Sequence, residues 1–488
     1  MYFNKNLFIY IFSLLSINVQ GQKNINVDST LTVKPTDSIL TIQKKPLTAI
    51  GLITGTNLGI WAFDRFITQA DYARINLNSI KRNLITGFVW DNDRFSTNLL
   101  AHPYNGGYYF NAARSNGMSF WQSIPFVATG SLEWELFLEN EPPSINDFAS
   151  TTIGGLCLGE ISFRISDLFI DDRTLGFERF KREALLTIIS PIRGLNRLLN
   201  GDAYKHLKIK GNTISTPPFI FYSTLGNRFM TDNSRTKNNF SPMICYDLGL
   251  HYGNPYNLEN EKPYDFFSVQ MSGNLGSRQP IISRVIILGM LFSKDITLRK
   301  PNQQLTFGIF QYFNYYLGNI DQNNVSLNPY KISEAASVGP GVLFKSKLTK
   351  NNLFLSSAHL GAIIMGGSQT DHYKFDKRDY NMGSGFSAKL NFEFRFGSSS
   401  KLLVCSEDYH IYSWIGNNPA NGNINPNVQG DVSNTRLNVE RLQFSFIIQK
   451  HILLTAETEY FYRRSNYKYY PVVSHGILDN KLSVGYSF

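Results

Sequence analysis

The sequence predicts a transmembrane antiparallel β-barrel of about 12 strands, preceded by an α-helical N-terminal domain. Aromatic residues make up 14% of the 488 residues and charged residues only 17%, below the roughly 25% of an average soluble protein. The second half of the chain alternates apolar and polar residues in short segments, as membrane-spanning strands do. An unbroken internal stretch of about 20 apolar residues, typical of helical membrane proteins, does not occur in the sequence.

The first 45 residues predict export and a linker. Residues 1–21 have the order of a secretory signal, in which Lys5 precedes an apolar core at 7–17 and a small residue stands before a cleavage site at Gln22. The polar composition of 22–45 predicts a flexible periplasmic leader. We therefore expect the mature chain in the cell outer membrane.

Residues 46–205 predict a helical domain. Its apolar segments of helical length are 47–66, 117–139, 144–170 and 178–199. Gly51, Gly55 and Gly59 share one helix face, which predicts close packing there. Pro191 should kink the last segment, whose basic, amphipathic character suits a membrane surface.

Residues 206–488 predict the barrel. One strand should point Phe392, Phe394 and Phe396 to lipid and Asn391, Glu393 and Arg395 inward. Strand centres are expected near 220, 247, 268, 288, 309, 342, 358, 390, 406, 442, 457 and 484. Counted back from Phe488, the gaps alternate between long, as at 465–479 and 414–434, and short, as at 397–400. This alternation predicts long outer loops, short periplasmic turns and both barrel ends on the periplasmic side.

An ordered series of motifs in the helical half resembles a known family. The series is His102-Pro103-Tyr104-Asn105-Gly106-Gly107, Ala113-Arg114-Ser115-Asn116-Gly117, Trp134-Glu135, Pro143-Ser144-Ile145-Asn146-Asp147, Gly154-Gly155 and Gly159-Glu160. Over about 80–200 the chain resembles the domain of unknown function 3943 of bacterial outer-membrane proteins. The resemblance implies location and architecture, and it implies no reaction.

The charge and cysteine content restrict the partners. The net charge of +10 is spread along the chain, whereas a nucleic-acid binder clusters its bases, so we expect no nucleic-acid partner. Outer-membrane lipid and lipopolysaccharide, the outer-membrane assembly machinery and an envelope protein are the expected partners. Cys157, Cys245 and Cys405 are expected to be buried small hydrophobes. The absence of HExxH and CxxC spacings predicts no metal and no cofactor.

Polar residues inside apolar segments form the candidate site. Isolated charges there are costly unless they are paired, which predicts a structural network. Its members are His102, Arg114, Glu133, Glu135, Asn146, Asp147, Glu160 and Arg164. The alternative is a hydrolytic site in which His102 is the base, Asp147 or Glu133 orients it, and Ser144 or Ser119 is the nucleophile. The sequence has no GxSxG elbow to support that alternative.

Two functions follow from these features. In the favoured hypothesis the barrel is not an enzyme, its helical domain caps or fills the lumen, and it serves transport, anchoring or assembly. In the alternative it is a barrel enzyme that acts on lipid or lipopolysaccharide through His102 and nearby carboxylates. A lipid hydrolase needs its nucleophile at the bilayer edge, on a strand that faces outward. The candidates here lie on N-terminal helices instead, which favours the first hypothesis. The most informative observation is whether residues 46–200 lie inside the lumen or below it.

Overall fold

The computed structural model describes residues 43–487. The exceptions are 91–92, 207–216, 233–242, 257–261, 277–279, 319, 323–324, 328–329, 376–377, 422–427 and 450. The predicted signal and most of the predicted leader lie outside the described residues.

Eight α-helices occupy the described part of the N-terminal half. They are α1 (Pro46–Phe63), α2 (Leu77–Thr86), α3 (His102–Arg114), α4 (Phe120–Phe137), α5 (Ile145–Ala149), α6 (Gly155–Asp167), α7 (Gly176–Ile189) and α8 (Pro191–Leu199). Single π-helical turns follow α1 at Asp64–Thr68, precede α3 at Thr97–Ala101 and join α5 to α6 at Ser150–Gly154. By length and composition, one stretch of the described residues, Pro46–Thr68, is apolar enough to cross a membrane.

Local sequence explains where these helices begin. The side chains of Asn76 and Ser119 accept hydrogen bonds from the first turns of α2 and α4, and both helices have a complete capping box. Pro191 is the first residue of α8, where the missing N–H of proline has no cost. The predicted single helix with a kink is therefore two helices, α7 and α8, separated at Ser190. Helices α2 and α3 were not predicted.

Close packing in the helical domain is found at other glycines than expected. A Cβ atom at Gly51, Gly55 or Gly59 would meet nothing within 4 Å, so the predicted contact face of α1 is open. By contrast, a Cβ at Gly155 would lie 2.6 Å from the Cα of Gly106. The backbones of α3 and α6 touch there, and only glycine fits.

Twelve antiparallel strands form a closed barrel. They are β1 (Phe219–Asp232), β2 (Met243–Tyr252), β3 (Phe267–Asn274), β4 (Arg284–Ile296), β5 (Gln303–Leu317), β8 (Lys331–Lys347), β9 (Asn352–Gln369), β10 (Tyr380–Phe396), β11 (Ser400–Ser413), β12 (Ser433–Gln449), β13 (Ile452–Tyr467) and β14 (Val473–Ser487). Two short strands, β6 (Ile320–Gln322) and β7 (Val325–Leu327), form a separate hairpin between β5 and β8. The predicted fold class is confirmed, and each predicted strand centre falls within a strand.

The connections define two rims of the barrel. The long-loop rim carries 414–432 and the β6–β7 hairpin, and the short-turn rim carries 297–302, 348–351 and 397–399. The predicted long loop at 465–479 is wrong. Ser465 pairs with Val473, and the connection between β13 and β14 consists of 468–472 only. The short-turn rim also carries one long connection, 253–266.

The lumen is filled by charged side chains of the barrel itself. Arg284 on β4 bonds to Glu459 on β13, five strands away around the barrel. Strands that are not neighbours meet only through the interior. Arg441 Nε lies 2.5 Å from Glu459 Oε1, and Lys481 Nζ lies 2.7 Å from Glu457 Oε1. The lumen is therefore occupied by ion pairs between side chains of the barrel strands.

The helical domain packs on the outer face of this wall. Asn314 and Tyr316 point into the lumen, where they bond to Tyr409 and Glu407 of β11. Tyr315 between them must point outward, and its ring lies 5.2 Å from that of Phe95 in the helical domain. Other outward residues join the same core as the helices: Leu250, Phe267, Val285, Ile287 and Phe313.

The expectation that the helical domain caps or fills the lumen is therefore wrong. The physical reason is that the lumen already holds its own ion pairs, whereas the outer wall offers apolar side chains. The rest of the outer face keeps the predicted lipid-facing pattern, with Leu390, Phe392 and Phe396 exposed.

We predict that a charge on this outer face destabilises the barrel according to its depth. Leu442→Arg, at the middle of β12, should cost about 2–4 kcal/mol in lipid, since the guanidinium would lie in hydrocarbon. Ile448→Arg, at the last residue but one of β12, should cost at most about 1 kcal/mol. Both side chains are exposed. Urea titration in lipid vesicles measures the difference, and equal costs would contradict the membrane orientation.

Candidate functional site

A groove of 3540 Å³ lies between the helices and the outer wall of the barrel. One side is the open glycine face of α1, and the other is the outward face of β1–β4. Residues of α3, α6, α7 and α8 also line it. Apolar side chains from both halves of the chain line it, among them Tyr108, Ile161, Phe221, Leu250 and Met271. The groove therefore lies on the side of the barrel that faces lipid.

The polar end of the groove holds four residues that we call the His102 cluster: His102, Asp93, Asp147 and Glu139. The Nε2 atom of His102 lies 3.6 Å from Asp147 Oδ1 and 3.9 Å from Asp93 Oδ2. The His102 side chain is only 14% exposed. Helix α3 begins at this histidine, and α5 begins two residues before Asp147, so two helix starts bring these side chains together.

The carboxyl of Glu139 has an unusual proton affinity. Burial raises its pKa to about 8, a hydrogen bond from Trp134 opposes the rise, the Asp147 carboxylate adds to it, and His102 lowers it again. Burial also raises the pKa of Glu141, which lines the same end of the groove. A carboxyl that titrates near neutral pH can give or take a proton there.

The two serines considered as nucleophiles are both helix caps. Ser144 Oγ accepts a hydrogen bond from the Asp147 backbone N–H at 3.1 Å and donates to Asn146 Oδ1 at 2.9 Å. Ser119 Oγ caps α4 by accepting from the Gln122 N–H. Glu135 accepts a bond from the Ser144 N–H at 2.8 Å. Among the described contacts, neither hydroxyl bonds to His102, so the geometry offers no serine–histidine pair.

Glu133 stands apart from His102. Its Oε2 accepts hydrogen bonds from Thr54 at 3.2 Å and Asn57 at 3.3 Å. Asn57 in turn accepts a bond from Tyr109 at 2.5 Å. Glu133 therefore ties α4 to α1, and it does not orient the histidine.

A second polar group, the Glu160 cluster, lies at the other end of α3 and α6. It consists of Glu160, Arg114, Arg164 and Asp265. Glu160 is fully buried and bonds to Arg114 Nε at 2.7 Å and Arg164 Nε at 2.8 Å, while Arg164 reaches Asp265 on the barrel at 3.1 Å. The polar residues selected from the sequence thus separate into three groups, and the Glu160 cluster fastens the helices to the 253–266 connection.

Sequence reasoning missed several members of these groups. Glu139 and Glu141 lie between the motifs Trp134-Glu135 and Pro143-Ser144. Their position between two motifs of the series could have indicated that they belong to the site. Asp93 lies only nine residues before His102. Asp265 has no local signal, because its role depends on the docking of the helices against the barrel.

Part of the helical half of the chain matches a known family model. Residues 87–192 match the family model described as "Domain of unknown function (DUF3943)", which confirms the resemblance predicted from the motifs. No curated protein matches the chain.

Solved structures with a similar fold are outer-membrane barrels. The NanC porin is 11% identical with a TM-score of 0.28, over 54% of this chain and 98% of that chain. The DcaP channel of Acinetobacter baumannii is 10% identical with a TM-score of 0.24, over 57% and 99%. Outer membrane phospholipase A from Escherichia coli is 11% identical with a TM-score of 0.27, over 57% and 94%. These likenesses concern the fold alone.

We predict that Glu139 makes the stability of the helical domain fall with rising pH. Its pKa is about 8 in the folded chain and 4.5 in the reference state, so the folded state holds the extra proton between these values. Stability should decrease as the pH rises from about 4.5 to about 8 and then level off. Glu139→Gln should remove this part of the slope. Urea midpoints from circular dichroism at 222 nm, at pH 5, 7 and 9, measure it; an unchanged slope would contradict the assignment.

We also predict that Glu160 is a main support of the helical domain. In Glu160→Gln, Arg114 and Arg164 lose a buried counter-charge, which should cost about 3–5 kcal/mol. Glu178→Gln on α7 is the matched control, because its pairs with Lys181 and Arg182 are partly exposed and such pairs contribute at most about 1 kcal/mol. Chemical unfolding of both variants in one detergent compares them. Equal losses would show that the cluster is not structural.

Proposed function

We propose that this protein binds an acyl lipid of the outer membrane in the groove between its helices and its barrel wall. The observation that carries the proposal is the position of the groove. It lies on the outer face of the barrel, whereas the lumen is filled by buried ion pairs. Transport of a solute through the lumen has no comparable support.

The dimensions and lining of the groove support an acyl ligand. Its volume of 3540 Å³ is several times that of a pocket for a small molecule, about 300–1,000 Å³. Gly51, Gly55 and Gly59 leave open space on its α1 side beside Leu52 and Ile60. The opposite side presents Phe221, Leu250 and other apolar residues of the wall. Acyl chains would bury their surface along this lining.

The outer-membrane location belongs to the same proposal. The barrel has the fold of outer-membrane proteins, and its outer face has a belt of exposed apolar side chains outside the region that the helices cover. Export by the predicted signal at 1–21 would bring the chain to that membrane. Phospholipid and lipopolysaccharide are the lipids available there.

A second candidate function is chemistry on the head group of the bound lipid. It is favoured by Glu139, whose carboxyl titrates near neutral pH and lies beside His102 at the polar end of the groove. Such a group could act as a general acid or base. His102 and Glu139 belong to the helical half, which packs on the outer face of the wall, so their place outside the strands no longer argues against a lipid enzyme. Ser144 and Ser119 are engaged as caps, so we assign no serine nucleophile.

We predict that Gly55→Leu reduces the amount of lipid that purifies with the protein. The new side chain would enter the groove without a clash, since nothing lies within 4 Å of a Cβ there, and it improves helix propensity by up to about 1 kcal/mol. Leu58→Phe is the control, because Leu58 is exposed on the same helix but does not line the groove. Native mass spectrometry should find at least about twofold less bound lipid in Gly55→Leu only. Wild-type occupancy would overturn the proposal.

The two candidate functions separate in one assay. Purified protein is incubated with phospholipid vesicles and with lipopolysaccharide, and the lipids are analysed by mass spectrometry. A new lipid product that disappears in His102→Gln and in Glu139→Gln would establish an enzyme. Bound lipid without any product would leave the binding function alone.

A further inference from the structure

We infer that the helical domain is itself a membrane-embedded unit: α1, α3, α4 and α5–α6 cross the outer membrane beside the barrel as a bundle of four helical crossings. The surface concerned is the outward face of this bundle, and its partner is the hydrocarbon of the bilayer. This inference goes beyond the proposed function, which requires only that the groove faces lipid.

The helical domain covers the full height of the barrel wall. At the long-loop rim, the ring of Phe95 lies 5.3 Å from that of Tyr380, the first residue of β10. At the short-turn rim, Arg164 reaches Asp265 in the 253–266 connection. A body that touches both rims of a membrane barrel from outside lies at membrane depth.

The contacts also give the direction of each crossing. Helix α1 starts at the short-turn side, where the Lys45 N–H donates to Asn116 O at 3.0 Å, and it ends where Trp61 donates to Ala73 O at 3.0 Å. The backbone carbonyl of Tyr72, the residue before Ala73, accepts a hydrogen bond from the N–H of Asn140, which lies just after the end of α4. Helix α1 therefore runs toward the long-loop rim.

The other three crossings alternate in direction, so that the total of four is even. Helix α3 runs from the His102 cluster down to Arg114 in the Glu160 cluster. Helix α4 starts at Phe120, whose ring stacks on Tyr264 of the short-turn rim at 5.6 Å, and ends near Glu139. The α5–α6 segment returns from Asp147 to Arg164. Four crossings bring the chain back to the rim at which β1 begins, as the barrel requires.

Charge is absent from the middle of three of the four crossings, and the exception, Glu133 on α4, is hydrogen-bonded to Thr54 and Asn57 of α1 inside the bundle. The sequence between His102 and Arg114 has no Asp, Glu, Lys, Arg or His, nor has the sequence between Asp147 and Glu160. At 1.5 Å per residue each of these stretches is about 18–20 Å long. Helix α1 has no charged residue over 18 residues, about 27 Å. These lengths match an apolar band of about 25 Å, with the His102 and Glu160 clusters at its two faces.

The outward side chains of the bundle are apolar. Leu47, Ile50, Leu58 and Phe63 of α1 and Trp121 of α4 are exposed. Apolar patches of this extent are rare on soluble surfaces. They continue the exposed belt of the barrel, and the backbone polar groups are satisfied within the helices, as lipid requires.

Depth-dependent fluorescence quenching tests the inference on the full-length protein. A bimane label is placed at Leu58→Cys on α1, at Leu225→Cys on the outer face of β1 and at Asp71→Cys in the loop after α1. Leu58 and Leu225 are each 48% exposed, and the Asp71 side chain is 92% exposed. The native cysteines are buried and should not react. The quenchers are acyl-chain spin-labelled lipid in vesicles and aqueous iodide.

We predict that the label at Leu58 behaves like that at Leu225. Spin-labelled lipid should quench both at least about twofold more than the label at Asp71, and iodide should show the reverse order. Iodide quenching of Leu58 at the level of Asp71 would overturn the inference. Ile50→Cys, also exposed on α1, replaces Leu58→Cys if that variant does not fold. Because Gly55→Leu is read out by bound lipid, the failure of either proposal is visible independently of the other.

Discussion

The ion pairs in the lumen are the constraint from which the rest of the architecture follows. Four cations, Arg228, Arg284, Arg441 and Lys481, face four carboxylates, Asp247, Glu457, Glu459 and Asp479, from strands on different sides of the barrel. Buried charges must keep their partners, so this interior cannot open without a large cost in free energy. A barrel closed in this way has only its rims and its outer wall available for interaction, and the outer wall is where the helices, the groove and the His102 cluster lie.

The helices turn a uniform lipid-facing wall into a site with two chemically different ends. Helices α3 and α6 touch each other at Gly106 and Gly155, and α6 and the π-helical turns beside these two helices contact β5 and β8, while α1 lines the groove. The Glu160 cluster fastens α3 and α6 at one end. The His102 cluster lies at the other end and contains Glu139, whose pKa burial raises to about 8. The buried ion pairs and this carboxyl thus lie at opposite ends of α3.

Short-range sequence patterns predicted the features that neighbouring residues determine, namely the strands and the direction of their side chains. Alternation predicted the strands and the outward side of Phe392, and the motif series predicted, over about 80–200, the resemblance that the family model matches at 87–192. The helical domain's place could not be predicted, because an apolar helix face fits a lumen or an outer wall equally well. That choice depends on Arg284 meeting Glu459 across the barrel, a contact between residues 175 positions apart. Asp265 was missed because its role also depends on a contact between distant parts of the chain. The loop at 465–479 was predicted too long, because the polar residues at its two ends belong to β13 and β14.

The position of the covered wall has a consequence for biogenesis. Among the described residues, the apolar core that the helices share with the wall includes residues of β2–β5 and β8–β10 but none of β11–β14, whereas the barrel closes between β1 and β14. The helices and the first hairpins can therefore form a half-built sheet with one side already shielded before the last strands arrive. Contacts that are closer in sequence generally form sooner. The helical segment would then act as an internal template during assembly, holding the first strands in register until the seam closes.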